Sequence, residues 1–283
     1  MKLWNAGACK FATNLRCCCM VDIHDGRGVL YPARLPEFQR ILPPEHLRQY
    51  VSWYWISRWD IAAGRISRQQ ILPFPLMNLV VQPVGVTVAG PSRGASHRDL
   101  RGTSWAVAAL LRPAAAPYLA SLVESTPQQL LDQEATIDAG ALHQALLDEH
   151  QLCDDANSNA GCAHQLSLWL EQRLPPITES GELANNFLDH VSTNSAALRV
   201  DHVAKDLNLT VRSLQRLSLK YLGLSPLAVI RRYRLQEAAL HLREHPQTSL
   251  ASLAVDLGYA DQAHLSTDFR KVLGYSPSDY RSS

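Results

Sequence analysis

Val203-Ala-Lys-Asp-Leu-Asn-Leu-Thr-Val-Arg-Ser-Leu-Gln-Arg-Leu217 and, 50 residues on, Leu253-Ala-Val-Asp-Leu-Gly-Tyr-Ala-Asp-Gln-Ala-His-Leu-Ser-Thr267 are two statements of one pattern. Each opens with a short apolar-periodic run that carries a small residue, Ala204 or Ala254, where a second helix must approach closely. Four residues later stands Asn208 or Gly258, the types that best tolerate left-handed backbone. Thr210 or Asp261 then supplies an N-cap for the next helix. Downstream, Leu222-Gly-Leu-Ser-Pro226 recurs as Leu273-Gly-Tyr-Ser-Pro277 at an offset of 51, the extra residue being Ala260. The unit is a helix-turn-helix, present twice.

The second helix of each unit divides into two faces. In the first copy Leu214, Leu217 and Tyr221 repeat at core spacing, while Arg212, Gln215, Arg216 and Leu219 fall on the opposite side. Arg paired with guanine and Gln with adenine are frequent major-groove contacts, so Arg212, Gln215 and Arg216 are candidate base readers. In the second copy Leu265 and Phe269 point inward; Gln262, Ala263, Ser266, Thr267 and Arg270 point outward, with His264 at the edge. Gln262, Ala263, His264, Ser266 and Thr267 are the corresponding readers, a weaker set than the first. Thr210, Lys220, Ser225, Arg270, Lys271 and Ser276 are candidates for the phosphate backbone, contacts that position without specifying sequence.

Between the units, Ser225 caps and Pro226 opens a helix expected to reach about Glu244. Leu227, Ile230, Leu235, Ala238 and Leu242 form its apolar stripe. Nineteen residues at ~1.5 Å each span roughly 28 Å, close to the ~34–36 Å between successive major-groove faces on one side of B-DNA. One chain would therefore reach a bipartite site.

Working outward, the preceding part of the chain reads differently. Val51–Ile56, Leu76–Gln82, Val84–Val88 and Trp105–Leu111 are short runs rich in β-branched or aromatic residues, separated by turn clusters such as Leu72-Pro-Phe-Pro75 and Gly90-Pro-Ser-Arg-Gly94. They predict a small barrel or sandwich, with Trp53, Trp55, Trp59 and Trp105 as core packing. Ala141–Leu147 and Leu166–Leu170 carry helical spacing, broken by the polar stretch Asp154–Gly161. These two helices would serve as cover for the sheet or as a dimer interface. Leu174-Pro-Pro-Ile-Thr-Glu-Ser-Gly181 reads as a linker. The expected organisation is a flexible tail (1–28), a β-rich regulatory domain with C-terminal helices (29–174), a linker (175–182) and an all-α region (183–283). The fold class is α+β, with two helix-turn-helix subdomains joined by a connecting helix.

The whole chain of 283 residues has a formal net charge of only +1. That sum conceals a partition: +8 over residues 1–120, −11 over 121–197 and +4 over 198–283. Separate segments therefore have separate work, nucleic acid being one partner for a basic one. A hydrophobic share of 46% with 19% charged residues fits packed cores and excludes a disordered chain. No apolar run is long enough for a membrane span and no secretory leader is evident, so a cytoplasmic protein is expected. Cys9, Cys17, Cys18, Cys19, Cys153 and Cys162 offer neither a C-x-x-C spacing nor a completing His pair, so no metal site is expected. Met20 follows the cysteine triplet and is a candidate for the true translation start. No Ser/His/Asp or Cys/His arrangement and no phosphate-cradling glycine loop stands out, so neither an enzyme nor a cofactor is expected.

The C-terminal hundred residues resemble the DNA-binding region of AraC/XylS-type transcriptional regulators. The resemblance rests on Val203-Ala204, Leu214-Gln215-Arg216, Arg234-Leu235-Gln236-Glu237-Ala238, Leu253-Ala254, Leu257-Gly258-Tyr259, Leu265, Phe269-Arg270, Gly274, Ser276-Pro277 and Tyr280-Arg281. It implies two helix-turn-helix subdomains in adjacent major grooves of double-stranded promoter DNA, with an N-terminal domain that senses a signal or dimerises. RNA polymerase, a small-molecule effector and a second copy of the chain are the further partners it admits. Two positions depart from that pattern: Ser218 stands where a Phe is usual, and Thr267 where Arg is frequent. The missing aromatic would cost a few kcal/mol unless Leu219 or the N-terminal domain fills the gap.

More faintly, the N-terminal part resembles a domain of unknown function found fused to such regulators. The cues are Val51-Ser-Trp-Tyr-Trp55, Ile71-Leu-Pro73 before Leu79-Val-Val81, Ala89-Gly-Pro91 and Leu111-Arg-Pro-Ala-Ala115. The G-x-H-x-H metal signature of enzymatic cupins is missing from it. An alternative reading makes the β-rich part a small-molecule-binding or enzymatic domain whose helix-turn-helix region is vestigial, Ser218 and the weak second face being its motivation.

Overall fold

The computed structural model describes residues 37–71, 73–152, 156–193 and 199–282. The expected tail at 1–28, with its four cysteines and Met20, lies outside the described residues, as does Cys153.

Strands β2 (Val51–Ile61) and β7 (Gly102–Leu111) form the spine of the N-terminal domain, antiparallel with Tyr54 opposite Ala109 and Ile56 opposite Val107. β1 (Glu37–Ile41) flanks one side, and β4 (Asn78–Gln82), β5 (Gly85–Ala89) and β8 (Glu134–Thr136) extend the other. The order is β1-β2-β7-β4-β5-β8, an open antiparallel sheet of six strands among the described residues. Side chains alternate between its faces. Tyr54, Ile56, Leu79, Val81, Val86, Val88, Val107 and Ala109 face one way and share an apolar cluster with α1 (Ala116–Ser121), α2 (Gly140–Leu152) and α3 (Ala156–Glu171) through Leu119, Leu142, Leu146, Leu166 and Leu170. A two-stranded ribbon, β3 (Ser67–Ile71) with β6 (Ser96–Leu100), is joined to β8 by the Arg98–Glu134 ion pair.

Trp53, Trp55, Trp59 and Trp105 are all half-buried; as expected of core packing, Trp105 packs against the sheet's apolar cluster and Trp53 against that of the first helix-turn-helix unit. Their bulky rings are accommodated at edges, where polar tips find partners: Trp55 donates its indole N–H to Asn78 Oδ1 at 3.0 Å, and Trp105 stacks on His150 at 3.9 Å. One expectation is corrected: the polar stretch Asp154–Gly161, expected to separate the two helices, is narrower than the sequence suggests, because Ala156–Gly161 already belongs to α3. Ser158 is fully buried there and accepts a hydrogen bond from Arg58, so the polarity is internal rather than a loop signal.

The segment expected as linker is packed. Tyr50 donates its hydroxyl proton to the Pro175 carbonyl at 2.8 Å, and helix α4 (Glu179–Thr193) begins within it. Asn185 on α4 takes the Ala114 N–H and donates to the Gln49 carbonyl, while Asp189 pairs with Arg112 at 2.6 Å. Beyond α4 come α5 (Val200–Asp206), α6 (Val211–Leu222), α7 (Pro226–Glu244), α8 (Leu250–Asp256), α9 (Gln262–Leu273) and α10 (Pro277–Ser282). One apolar cluster gathers Phe187, Val203, Leu214, Leu217, Val229 and Ile230 around the first unit, and a second gathers Leu253, Leu257, Leu265, Phe269 and Leu273 around the other.

Candidate nucleic-acid interface

The turns are built as the repeat demands. Asn208 has φ +56° and Gly258 φ +71°, each closing the turn after its first helix. Ala204 and Ala254 are buried where α5 meets α6 and α8 meets α9. Thr210 accepts the Ser213 N–H at 3.1 Å to start α6, and Asp261 accepts the His264 N–H at 2.7 Å to start α9. Both second helices end on left-handed glycines, Gly223 and Gly274. Ser225 caps α7 by accepting the Ala228 N–H, with Pro226 in the first turn.

On α6, Leu214, Leu217 and Tyr221 are buried, whereas Arg212, Gln215 and Arg216 are exposed on one side. Among the described residues neither arginine enters an ion pair. Unneutralised guanidinium groups beside a glutamine amide form a surface suited to bases and phosphates. Leu219, expected outward, is half-buried. Lys220 is exposed, its ammonium 5.1 Å from the Tyr221 ring.

On α9, Gln262, Ala263, His264, Thr267, Arg270 and Lys271 are exposed and Ser266 is half-buried. Several of these groups are already engaged. Thr267 donates its hydroxyl to the Ala263 carbonyl at 2.8 Å, and His264 meets Tyr259 edge-on at 5.1 Å. The second face therefore offers fewer free polar groups than the first. Among the phosphate candidates, Thr210, Ser225 and Ser276 all cap helices, Ser276 by its exchange with Asp279.

The connecting helix spans Pro226–Glu244, and Ile230, Leu235, Ala238 and Leu242 are buried as expected. Leu227 is not: it is 52% exposed, although its neighbours Pro226 and Val229 are buried. The helix is instead buried on several sides, taking in Val229, Arg232, Tyr233, Gln236 and Ala239. Sequence reading also leaves out Asp268, which is buried on α9 and pairs with Arg231 of α7 at 2.9 Å. An acidic residue one position before Phe269 is the only local signal of this tie.

Ser218 is fully buried and donates to the Leu224 carbonyl at 2.6 Å. Where the repeat places Phe269 in the second unit, the first unit thus has a satisfied polar contact in place of an aromatic one.

Comparison with known proteins places these features in context. Residues 203–283 match the family described as "Helix-turn-helix domain", and residues 39–135 match "Domain of unknown function (DUF6597)". The HTH-type transcriptional activator RhaS of Escherichia coli (strain SE11) is 30% identical over 136 residues, which cover 48% of this chain and 41% of that protein. The match thus spans less than half the length of such relatives. Among solved structures, the C-terminal domain of AraT from Geobacillus stearothermophilus is 26% identical, covering 37% of this chain and 88% of its own, with a TM-score of 0.35. ToxT from Vibrio cholerae O395 is 11% identical, covering 80% of this chain and 95% of its own, with a TM-score of 0.43.

Proposed function

We propose that this chain, which carries an AraC-type helix-turn-helix domain behind a DUF6597 domain, is a sequence-specific transcriptional regulator of double-stranded promoter DNA. The two recognition helices α6 and α9 enter successive major grooves. The observation that carries this reading is the exposed, unpaired triplet Arg212, Gln215 and Arg216 on the second helix of a helix-turn-helix that occurs twice. In this reading α6 supplies most of the base discrimination, and α9 contributes Gln262, Ala263, His264, Ser266 and Thr267 with weaker readout. Lys220, Arg270 and Lys271 engage phosphates; Thr210, Ser225 and Ser276 present helix starts to them.

The N-terminal domain modulates this binding in response to an effector, and RNA polymerase is the partner through which bound protein acts on transcription. Dimerisation is one route by which the N-terminal domain acts. We assign no catalytic activity and no cofactor, and place the protein in the cytoplasm, in keeping with the transcriptional role of the relatives it matches. No helix among the described residues is long and apolar enough to cross a membrane.

Footprinting on the gene's own upstream region tests the reading. Two protected segments on one face of the duplex are expected, with affinity falling steeply as salt rises. A flat salt response, or no protection on any promoter fragment, overturns it.

A further inference from the structure

Two loops of the N-terminal domain grip the two helix-turn-helix units at once. The first, residues 90–95, reaches the second unit: Ala95 donates its N–H to the Val272 carbonyl at the end of α9 at 2.6 Å. The same loop offers the Ser92 carbonyl to Arg232 of α7, which donates to it from Nε at 3.1 Å and from Nη2 at 2.8 Å. The second loop, residues 126–133, reaches the first unit. Gly223, the left-handed cap of α6, lies so close to Pro127 that a Cβ would run into the Pro127 carbonyl.

The two loops are one piece. Gly90 donates its N–H to the Gln133 carbonyl at 2.9 Å, and Asp132 donates its own to Pro91 at 3.0 Å. The Asp132 carboxylate accepts the Arg93 N–H at 2.7 Å and the Ser92 hydroxyl at 3.3 Å. Gly90 is seated directly on the Leu130 carbonyl, where no Cβ would fit. The resulting bracket holds α6 and α9 by their C-terminal ends, leaving Arg212, Gln215, Arg216 and Gln262 exposed.

Arg232 is the unusual member. It is buried, yet it donates its hydrogen bonds to carbonyls, those of Ser92 and Ala228. Burial brings the guanidinium down to about 10. A methionine would bury there at lower cost. Only the planar fork aims two N–H groups at one carbonyl and so fixes the angle between loop and helix.

We propose that the bracket of residues 90–95 and 126–133, rather than α7 alone, sets the mutual orientation of the two recognition helices and thereby the half-site spacing the chain accepts. Arg232 and Asp132 are its positioning residues. The inference rests on the DNA-binding function proposed above and adds to it what determines spacing.

The test uses the full chain and the duplex it enriches from a random-sequence library, with one to five base pairs inserted between the two protected segments. Five base pairs is about half a turn of B-DNA, so it carries the second segment to the opposite face. The wild-type chain should lose at least about thirtyfold in affinity on that insertion, comparable to losing a half-site contact. Arg232→Met removes the fork. Asp132→Gly removes the carboxylate while suiting the positive φ of +60° at that position. Both variants should bind a single half-site within about twofold of wild type, yet lose less than about threefold across the insertion series. Thermal unfolding of each variant checks that it is folded. Unchanged spacing profiles in both variants overturn the inference while leaving the proposed function intact. A wild-type chain indifferent to insertion, or protecting a single segment, also overturns it. A chain that enriches no duplex defeats the proposed function itself, and the inference with it.

Discussion

Ser218 and Leu224 are joined by a 2.6 Å hydrogen bond from the hydroxyl to the carbonyl, and both residues are buried. The bond ties the body of α6 to the turn that leads into α7. Leu219 is half-buried beside it, and Pro127 of the N-terminal domain lies against Gly223. At the position corresponding to Phe269, the first unit thus has a buried hydroxyl whose hydrogen bond is satisfied within the unit, which weakens one motive for regarding it as vestigial.

Ser218→Ala leaves the Leu224 carbonyl buried and unsatisfied, at a cost of about 1–3 kcal/mol. Urea unfolding of the full chain measures it as a lower midpoint with an unchanged slope. Ser218→Phe is expected to be no better, because it loses the same bond and overpacks a fully buried site.

The two reading helices should contribute unequally. Arg216→Ala is expected to weaken specific binding by about 1–3 kcal/mol and to relax selection at one base pair. Thr267→Ala should change little, since its hydroxyl is spent on the Ala263 carbonyl. Fluorescence anisotropy at fixed salt on specific and random duplexes separates the cases. Equal losses for Arg216→Ala on both duplexes would mean a phosphate contact only.

Backbone geometry at the turns gives a paired expectation. Gly258→Ala places a side chain at φ +71° and should destabilise by about 1–2 kcal/mol. Asn208→Gly, at φ +56°, should be close to neutral, the easier left-handed backbone being offset by greater freedom in the unfolded chain. Melting temperatures of the two variants against wild type check this.

His150 gives a dependence on pH. Burial lowers its tendency to take a proton, an effect partly opposed by the Leu146 carbonyl, with Arg58 lowering it further and Glu149 raising it. Because the folded value lies below the ordinary 6.5, the unfolded chain binds the proton first as pH falls. This contribution to stability is complete above 6.5 and declines as pH drops through that value toward the folded one. His150→Phe retains an aromatic against Trp105 and should flatten the fall in melting temperature between pH 7 and pH 5.

Local chemistry made much of the C-terminal region legible. Thr210, Asp261 and Ser225 cap their helices, and Asn208 and Gly258 take positive φ, because those roles depend on a few neighbouring residues. Strands β3 and β6 are not legible in the sequence, because Ser67-Arg-Gln-Gln-Ile71 and Ser96-His-Arg-Asp-Leu100 have no apolar alternation; their pairing is with each other. Leu227 obeys the helical period but is exposed, while Val229, off the expected stripe, is fully buried. Nothing near Arg232 in the sequence marks its role, since its partner Ser92 is 140 residues away. The candidate reading faces follow from helical periodicity, whereas the contacts that hold those helices relative to one another are long-range.

The apolar cluster of the first helix-turn-helix unit includes Leu76 and Leu110 from the β-rich domain alongside Phe187, Ile230 and Tyr233. The two halves of the chain therefore fold as partners rather than as interchangeable cassettes. A chimera that grafts a foreign sensor onto α4–α10 would strip this shared filling from Ile230 and Tyr233. Such a fusion should aggregate or need compensating substitutions along the inner side of α7.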